Sequence, residues 1–361
     1  MTVTCVTAKD DITLLHAVAE EWERVARQQP DGHMELTFPV VLANARDRLG
    51  RADWYCYAAH EGAELKNGLF GVHTRLERPF WRVPIFRIAF EYVSDPLDAS
   101  TNGRPSLEQI IRRMMKDHRD CAMFEFGHLR EEAFRTVQDA ARRLGLRYAS
   151  DPSGHRFLFD TSGPLSDLVS SLGRRLRRNL RRERRRLLEQ WAIDFEVVNT
   201  VDLEHNRACL EQFMDLEAAG WKGRAGTAIR CEAWHRDYYR WLVEQASPRG
   251  EYTWYTLKAD GRPIAMYMCL RTHATEWALK TCFDEAFASY SPGNQLLFRI
   301  VERLTTDPEV CRLHMVTGAP WLAHWKLVEE PHYRVRLFGD TFGGRLSWYA
   351  DRVRSWLDRL R

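Results

Sequence analysis

No run of about 18 consecutive apolar residues occurs in the 361-residue chain, which excludes a membrane-spanning helix of ordinary length. The opening residues Met1-Thr2-Val3-Thr4-Cys5 lack the charged and apolar regions of a secretion signal, so a cytoplasmic protein is expected. The eight cysteines are scattered singly, with no Cys-x-x-Cys pair and no His/Cys cluster at zinc spacing. Reduced core thiols and no bound metal follow as expectations. No glycine fingerprint for a dinucleotide appears; Asn102-Gly103-Arg104-Pro105 reads as a plain turn rather than a phosphate loop. Excess charge is also lacking. A net charge of +3 argues against polyanion binding by the whole surface.

What is present is a core-forming composition, 45% hydrophobic and 29% charged. The length suggests two domains, and Thr161-Ser162-Gly163-Pro164 is the best boundary signal, giving 1–163 and 164–361. Directly after it, residues 174–186 hold nine arginines and one glutamate; this stretch carries +8 and the rest of the chain −5. Leu176, Leu180 and Leu187 keep helical spacing through the arginines, so a helix with a narrow apolar seam is expected. An anionic partner at Arg174–Arg186 would be a tRNA, an acidic acyl carrier protein or a membrane surface; a solvated helix is the plainer alternative.

Each half reads as helix, three strands, helix, strand. In the first, helical spacing covers 10–28, and strands follow at Trp54–His60, Leu69–Leu76 and Phe86–Val93. In the second, Tyr252–Lys258 and Pro263–Arg271 are joined by Asp260-Gly261, a hairpin signal, and the wholly apolar Met266–Leu270 reads as a central strand. The last helix puts Tyr349, Val353, Trp356, Leu357 and Leu360 on one stripe flanked by arginines. Docking onto the domain is its expected fate, and a membrane interface its alternative.

Residues 276–304 organise the second half as strand, loop, helix. Trp277, Leu279, Thr281 and Phe283 alternate with Lys280, Cys282 and Asp284, and Leu296, Leu297, Ile300, Val301 and Leu304 then recur at helical spacing. Ser291-Pro292-Gly293-Asn294 between them offers a capping hydroxyl, a first-turn proline and a glycine open to ligand approach. A helix start with unpaired N–H groups is a natural anion site.

Trp221-Lys222-Gly223-Arg224-Ala225-Gly226-Thr227-Ala228, Leu279-Lys280-Thr281-Cys282-Phe283-Asp284, Tyr290-Ser291-Pro292-Gly293 and Trp325-Lys326 together resemble the Gcn5-related N-acetyltransferase (GNAT) superfamily, in its BioF2-like and FemAB-like branch. The resemblance covers about residues 165–335. It implies an α/β (α+β) fold of tandem GNAT-like domains, each a mixed, largely antiparallel sheet flanked by helices. The activity it implies is acyl transfer to an amine without a tightly bound cofactor. The donor co-substrate would be acyl-CoA or an acyl carrier protein, and N-acylation of a lipid amine such as a sphingoid base would suit the chain. FemAB-like ligases instead take aminoacyl groups from tRNA, which gives the arginine helix a role. A non-catalytic adaptor that keeps the fold is a third reading. The superfamily's Arg/Gln-x-x-Gly-x-Gly/Ala loop is absent here.

The implied donor site runs along Met268, Cys269 and Leu270 and the helix start at Ser291, Gly293, Asn294 and Gln295. Trp221, Lys222, Tyr290 and His314 would face substrate. Glu217 shares its helix's apolar stripe with Leu210, Phe213 and Met214; it is a candidate base or a structural partner for Lys222 or Arg224. Lys280 and Asp284 share a strand face and are candidates for catalysis or for an ion pair. Lys326 corresponds to the lysine that FemAB-like enzymes are thought to use for the oxyanion. Family members usually carry an Asp-Phe pair where this chain has His314-Met315.

Overall fold

In a computed structural model, residues 1–7, 15, 17–29, 34, 37, 40–41, 53–78, 81–88, 95–98, 104–316, 318–325 and 327–358 are described. In chain order the strands begin with β1 (Thr2–Thr7), and the helices with α1 (Ala19–Gln28). Next come β2 (Asp53–Glu61), β3 (Glu64–Arg78), β4 (Trp81–Ile88), β5 (Leu97–Asp98), α2 (Arg104–Asp117), β6 (Met123–Leu129), α3 (Glu131–Arg143) and β7 (Tyr148–Asp160). The second half holds α4 (Leu165–Ser171), α5 (Arg174–Gln190), β8 (Ile193–Val198), α6 (Leu203–Ala219), α7 (Ala233–Ala246), β9 (Tyr252–Ala259), β10 (Arg262–Thr272), β11 (Thr275–Phe283), α8 (Pro292–Leu304) and β12 (Arg312–His314). The last two elements are β13 (Val328–Phe338) and α9 (Phe342–Asp358).

Two compact units result: residues 1–155 with 331–361, and residues 156–330. In the first, β1-β2-β3-β4 is an antiparallel meander, β4 pairs with β6 in parallel, and β6 pairs with β13 antiparallel. In the second, β8-β9-β10-β11 is an antiparallel meander, β11 pairs with β12 in parallel, and β12 pairs with the end of β7 antiparallel. The pairing pattern is the same in both, so the fold is a tandem repeat of the mixed sheet.

Each unit's closing strand comes from the chain's crossing points. Arg156 to Asp160, at the end of β7, belongs to the second unit, and Pro331 to Phe338 of β13 belongs to the first. This corrects the division at 163/164. The turn at 161–164 exists but lies inside the second unit, and the last strand and helix return to the first. Turn residues report a local bend; strand partnership with β6 is settled by residues some two hundred positions away.

Helix periodicity explains the cores. In α2, Leu107, Ile110, Ile111 and Met114 are all inaccessible and pack with Phe86, Phe124 and Phe126. In α8, Leu296, Leu297, Ile300, Val301 and Leu304 pack on Tyr267, Cys269 and Leu313, as the spacing predicts. The Asp260-Gly261 hairpin is present, with both residues at positive φ (49° and 78°), the two-residue turn that matches strand twist. Met266–Leu270 is fully buried in β10 between two partners. The α1 expectation holds from Ala19 to Gln28; residues 10–14 and 16, the strand tail 89–93 and Asn102-Gly103 lie outside the described residues.

Candidate active site

The parallel pair at the centre of the second unit opens. β11 and β12 pair only at Thr275↔Arg312, Glu276↔Leu313 and Trp277↔His314. Beyond Trp277, β11 runs on to Phe283 without β12 beside it. β12 ends at His314, so the edge of β11 from Ala278 to Phe283 has no β12 residue beside it, and this open strand edge is the candidate cleft. Two non-glycine residues with positive φ stand at its rim: Val316 (45°) just past β12, and Ser291 (49°) at the entrance to α8. A β-branched residue in this region is strained, and such strain gathers at functional sites.

A β-bulge shapes the cleft wall. Met268 pairs with Lys280 but Cys269 pairs with Ala278, so Leu279 has no opposite residue. Cross-strand partners share a face. Trp277 therefore lies with Lys280 and Cys282, while Ala278, Thr281 and Phe283 lie on the α8 side with Cys269, Tyr267 and Ala265. The simple alternation read from the sequence groups Trp277 with Thr281 and Phe283, and the bulge overturns it. Of the donor-site triplet, Cys269 faces α8, and Met268 and Leu270 face the opposite side.

The helix start differs from expectation in one respect. Pro292 occupies the first turn as predicted, but the Ser291 side chain makes no capping bond. Its left-handed backbone instead lets the Ser291 carbonyl accept from Asn294 and Gln295 N–H, both at 3.0 Å. Gly293 is ordinary in φ, and a Cβ there would meet only Phe283 Cδ1 at 3.8 Å. The Gln295 side chain turns away from the helix start. Its Nε2 donates to the Leu180 carbonyl at 3.1 Å and ties α8 to α5. Tyr290 joins the same two helices: its hydroxyl bonds Gln190, and the Arg186 guanidinium lies 5.2 Å from its ring centre.

On the other side, residues 221–229 are pinned to the end of β11. The Glu217 carboxylate has no exposed side-chain surface. Its Oε1 accepts from Lys222 Nζ at 2.9 Å, and its Oε2 accepts from Ile229 N–H at 2.8 Å. Lys222 also donates to the Thr281 carbonyl at 2.8 Å. Glu217 thus does what its structural alternative predicts, pairing with Lys222. Trp221 is exposed, and its N–H donates to Glu285 Oε1 at 2.8 Å; the same carboxylate receives Arg224.

Asp284 does not pair with Lys280. Its Oδ2 meets Arg262 at 2.5 Å and its Oδ1 caps the following turn through Ala286 N–H. Lys280 is half-buried, 5.6 Å above the Tyr239 ring. His314 is buried against Trp277. Its Nδ1 accepts from Val316 N–H at 3.0 Å, which puts the ring proton on Nε2, 3.6 Å from Glu330. In this form the ring is a donor, not a base. Burial, helped by Glu217, pushes the Cys282 thiol far above the range in which a thiolate forms, which disfavours an acyl-cysteine. Lys326 lies outside the described residues.

One buried carboxylate is not singled out by the sequence. Glu276 is inaccessible on β11; burial raises its pKa, and Arg271 at 3.1 Å opposes the shift. An acidic residue beside Trp277 in an otherwise apolar strand is the signal that marks it.

The arginine helix forms as predicted, with Leu180, Glu183 and Leu187 buried. Arg174, Arg177, Arg178, Arg181, Arg182 and Arg185 line an open concavity of about 610 Å³ on the opposite face. Among the described residues, no carboxylate pairs with Arg174, Arg177, Arg178 or Arg181.

A family model described as "Acetyltransferase (GNAT) domain" matches residues 174–327. That segment is similar to GNAT-type acetyltransferase domains, and solved structures share the chain's fold. Among solved structures, FemX is 8% identical with a TM-score of 0.58, over 93% of this chain and 97% of that one. The C-terminal domain of a putative lysylphosphatidylglycerol synthetase from Agrobacterium fabrum is 13% identical (TM-score 0.55, 93% and 96% covered). L-PGS from Bacillus licheniformis is 12% identical (TM-score 0.50, 92% and 93% covered). At these identities the likeness is one of fold. No curated protein matches by sequence.

Proposed function

We propose that the protein moves an aminoacyl group from a tRNA ester to a primary amine, forming an amide. The observation that carries this reading is the row of unpaired arginines on α5, fixed to the entrance of α8 through Gln295 and Tyr290. A nucleic-acid backbone lying along that row would deliver its 3′ end toward the cleft between β11 and β12. Phosphate contacts fix position, and the cleft reads the acyl group. In the reaction the amine nitrogen bonds to the ester carbonyl carbon, the carbon–oxygen bond to the ribose breaks, and the amine's proton ends on the released hydroxyl. The strand edge beyond Trp277 is the place for the extended donor arm, as a strand added to an open pair. Lys280 and the protonated Nε2 of His314 are the cationic and donor groups nearest that edge on β11 and β12; with Lys326 they are the candidates for stabilising the oxyanion. Glu217 holds the 221–229 wall through Lys222.

A second reading, acyl transfer from a thioester, is favoured by the GNAT match over the same residues. One set of assays separates the two. Charged tRNA should bind with a steep salt dependence, and Arg174, Arg177, Arg178 and Arg181 replaced by Gln should lower the log–log salt slope by about four. Radiolabelled amino acid should pass from tRNA to an amine acceptor. A flat salt slope, with stabilisation by acyl-CoA instead, would transfer the assignment to the thioester reading.

A further inference from the structure

In the first unit, α9 docks by its less apolar side. Gly344 approaches the chain so closely that a Cβ would lie 2.2 Å from the Gly339 carbonyl. Trp348 packs on the small cluster of Ile85, Met123 and Phe338. Asp351 is buried and pairs with Arg336 of β13 at 2.5 Å. These three residues mark the inward face. Of the stripe the sequence expects to be buried, Tyr349, Val353 and Trp356 are exposed instead, while the Leu357 side chain and Leu360 lie outside what is described. With Phe342 and Leu346, the three exposed residues form a row between 42% and 84% exposed. Their spacing of four, three, four and three residues lines them along one side of the helix. A contiguous apolar row left in water signals a surface that something covers.

The charge beside that row states what. Arg345, Arg352 and Arg354 are exposed along it. The two acidic residues of the helix are Asp351, turned inward, and Asp358 at its last position. Pairing the stripe with a second copy of itself would set Arg345, Arg352 and Arg354 against their like, with only Asp358 at the helix end as an acid outside the Asp351–Arg336 pair. An anionic bilayer supplies both complements, apolar depth for the row and negative charge for its flanks. Tyr349 and Trp356 are also of the residue type that settles at the boundary of lipid and water.

We infer that α9 is an interfacial helix that seats this protein on an anionic lipid surface, with its axis in the plane of the bilayer. No helix among the described residues is long and apolar enough to cross a membrane, so contact would be peripheral. This surface is independent of the arginine row on α5 and of the donor chemistry.

The test is sedimentation of the full chain with vesicles of phosphatidylglycerol and phosphatidylcholine, against phosphatidylcholine alone, at low and high salt. The wild type should sediment with the anionic vesicles and be released by salt. Tyr349→Ser, Val353→Ser and Trp356→Ser combined should weaken binding at least about tenfold; because these side chains are exposed, the melting temperature should not fall. Arg345→Gln, Arg352→Gln and Arg354→Gln combined should remove the preference for phosphatidylglycerol. Replacing the α5 arginines should leave α9-dependent binding in place. The inference is overturned if the wild type stays in solution with anionic vesicles at low salt, or if the serine variant sediments like the wild type. It is also overturned if that variant instead breaks up a dimer, which would make the stripe a contact between copies.

Discussion

The same parallel strand pair occurs once in each unit and is built to opposite ends. In the first unit β4 and β6 pair at Ile85↔Met123 through Ile88↔Phe126, at the end of β4. Phe86, Phe124 and Phe126 are buried in the core around that pair. In the second unit β11 pairs at its beginning and then runs free of β12 for six residues, Ala278 to Phe283. Around that opening stand strained backbone at Ser291 and Val316, a bulge at Leu279, and a wall held by the Glu217–Lys222 pair. The first repeat packs aromatic rings around its pair, and the residues that follow Ile88 lie outside the described ones. The second leaves the end of β11 without a parallel neighbour and surrounds it with polar bonds. On the proposed reading the chemistry belongs to the second unit, and the first supports it and, through α9, would anchor it.

The contrast is broken most severely at Lys222. Removing its ammonium leaves Glu217 buried with only the Ile229 N–H, and stripping one partner from such a pair costs about 3–5 kcal/mol. Lys222→Ala should therefore lower the denaturation midpoint sharply and abolish turnover. Adding Glu217→Gln should restore most of the stability but not the activity. A Lys222→Ala protein that melts like the wild type would show that the wall does not depend on this pair.

A smaller effect should appear only in the first unit. His118 sits among Tyr55, Phe86 and His73 with its Nε2 3.1 Å from the Tyr57 hydroxyl. Burial, and then His73, push its pKa down to about 4. The unfolded chain takes up this proton near pH 6.5, whereas the folded chain resists until about pH 4, so acidification favours unfolding across that window. The wild type should lose up to about 3 kcal/mol relative to His118→Gln between those limits, as followed by urea titration at several pH values. Parallel pH profiles for the two proteins would remove His118 as the cause.

The smallest expected change in stability sharpens the assignment of the cleft. Gly293 has normal φ and open space around its missing Cβ, so Gly293→Ala should leave folding unchanged or raise stability by under about 1 kcal/mol. If the donor lies against the entrance of α8, the added methyl should raise KM for the donor several-fold. An unchanged KM would move the donor away from this helix start.

Much of the fold was legible because its signals are local. The leucines of α8, the Asp260-Gly261 turn and the apolar run in β10 each answer to a period or a turn geometry within a dozen residues. Within the motifs, Lys222 bonds Glu217 and Tyr290 stands beside α5, while Lys326 lies outside the described residues. What could not be read depends on partners far away in sequence. The bulge at Leu279 arises from how β11 meets β10, and it reverses the faces assigned to Trp277. Asp284 finds Arg262 rather than its neighbour Lys280. The outer stripe of α9 obeys the helical period, but periodicity cannot say which side a helix turns to its domain; Gly344, Trp348 and Asp351 decide that by what they touch.

The exchange of closing strands has a consequence for synthesis. The first unit's sheet ends on β13, whose pairing residues begin at Tyr333, so it stays unfinished while the whole second unit is made. At ordinary translation rates that wait lasts on the order of tens of seconds. Throughout it, the strand edge of Met123–Leu129 has no β13 to cover it, and must be shielded by chaperones or by transient pairing. Truncation between residues 156 and 332 would therefore leave the N-terminal unit without its closing strand, and the exposed β6 edge makes such a product prone to aggregation.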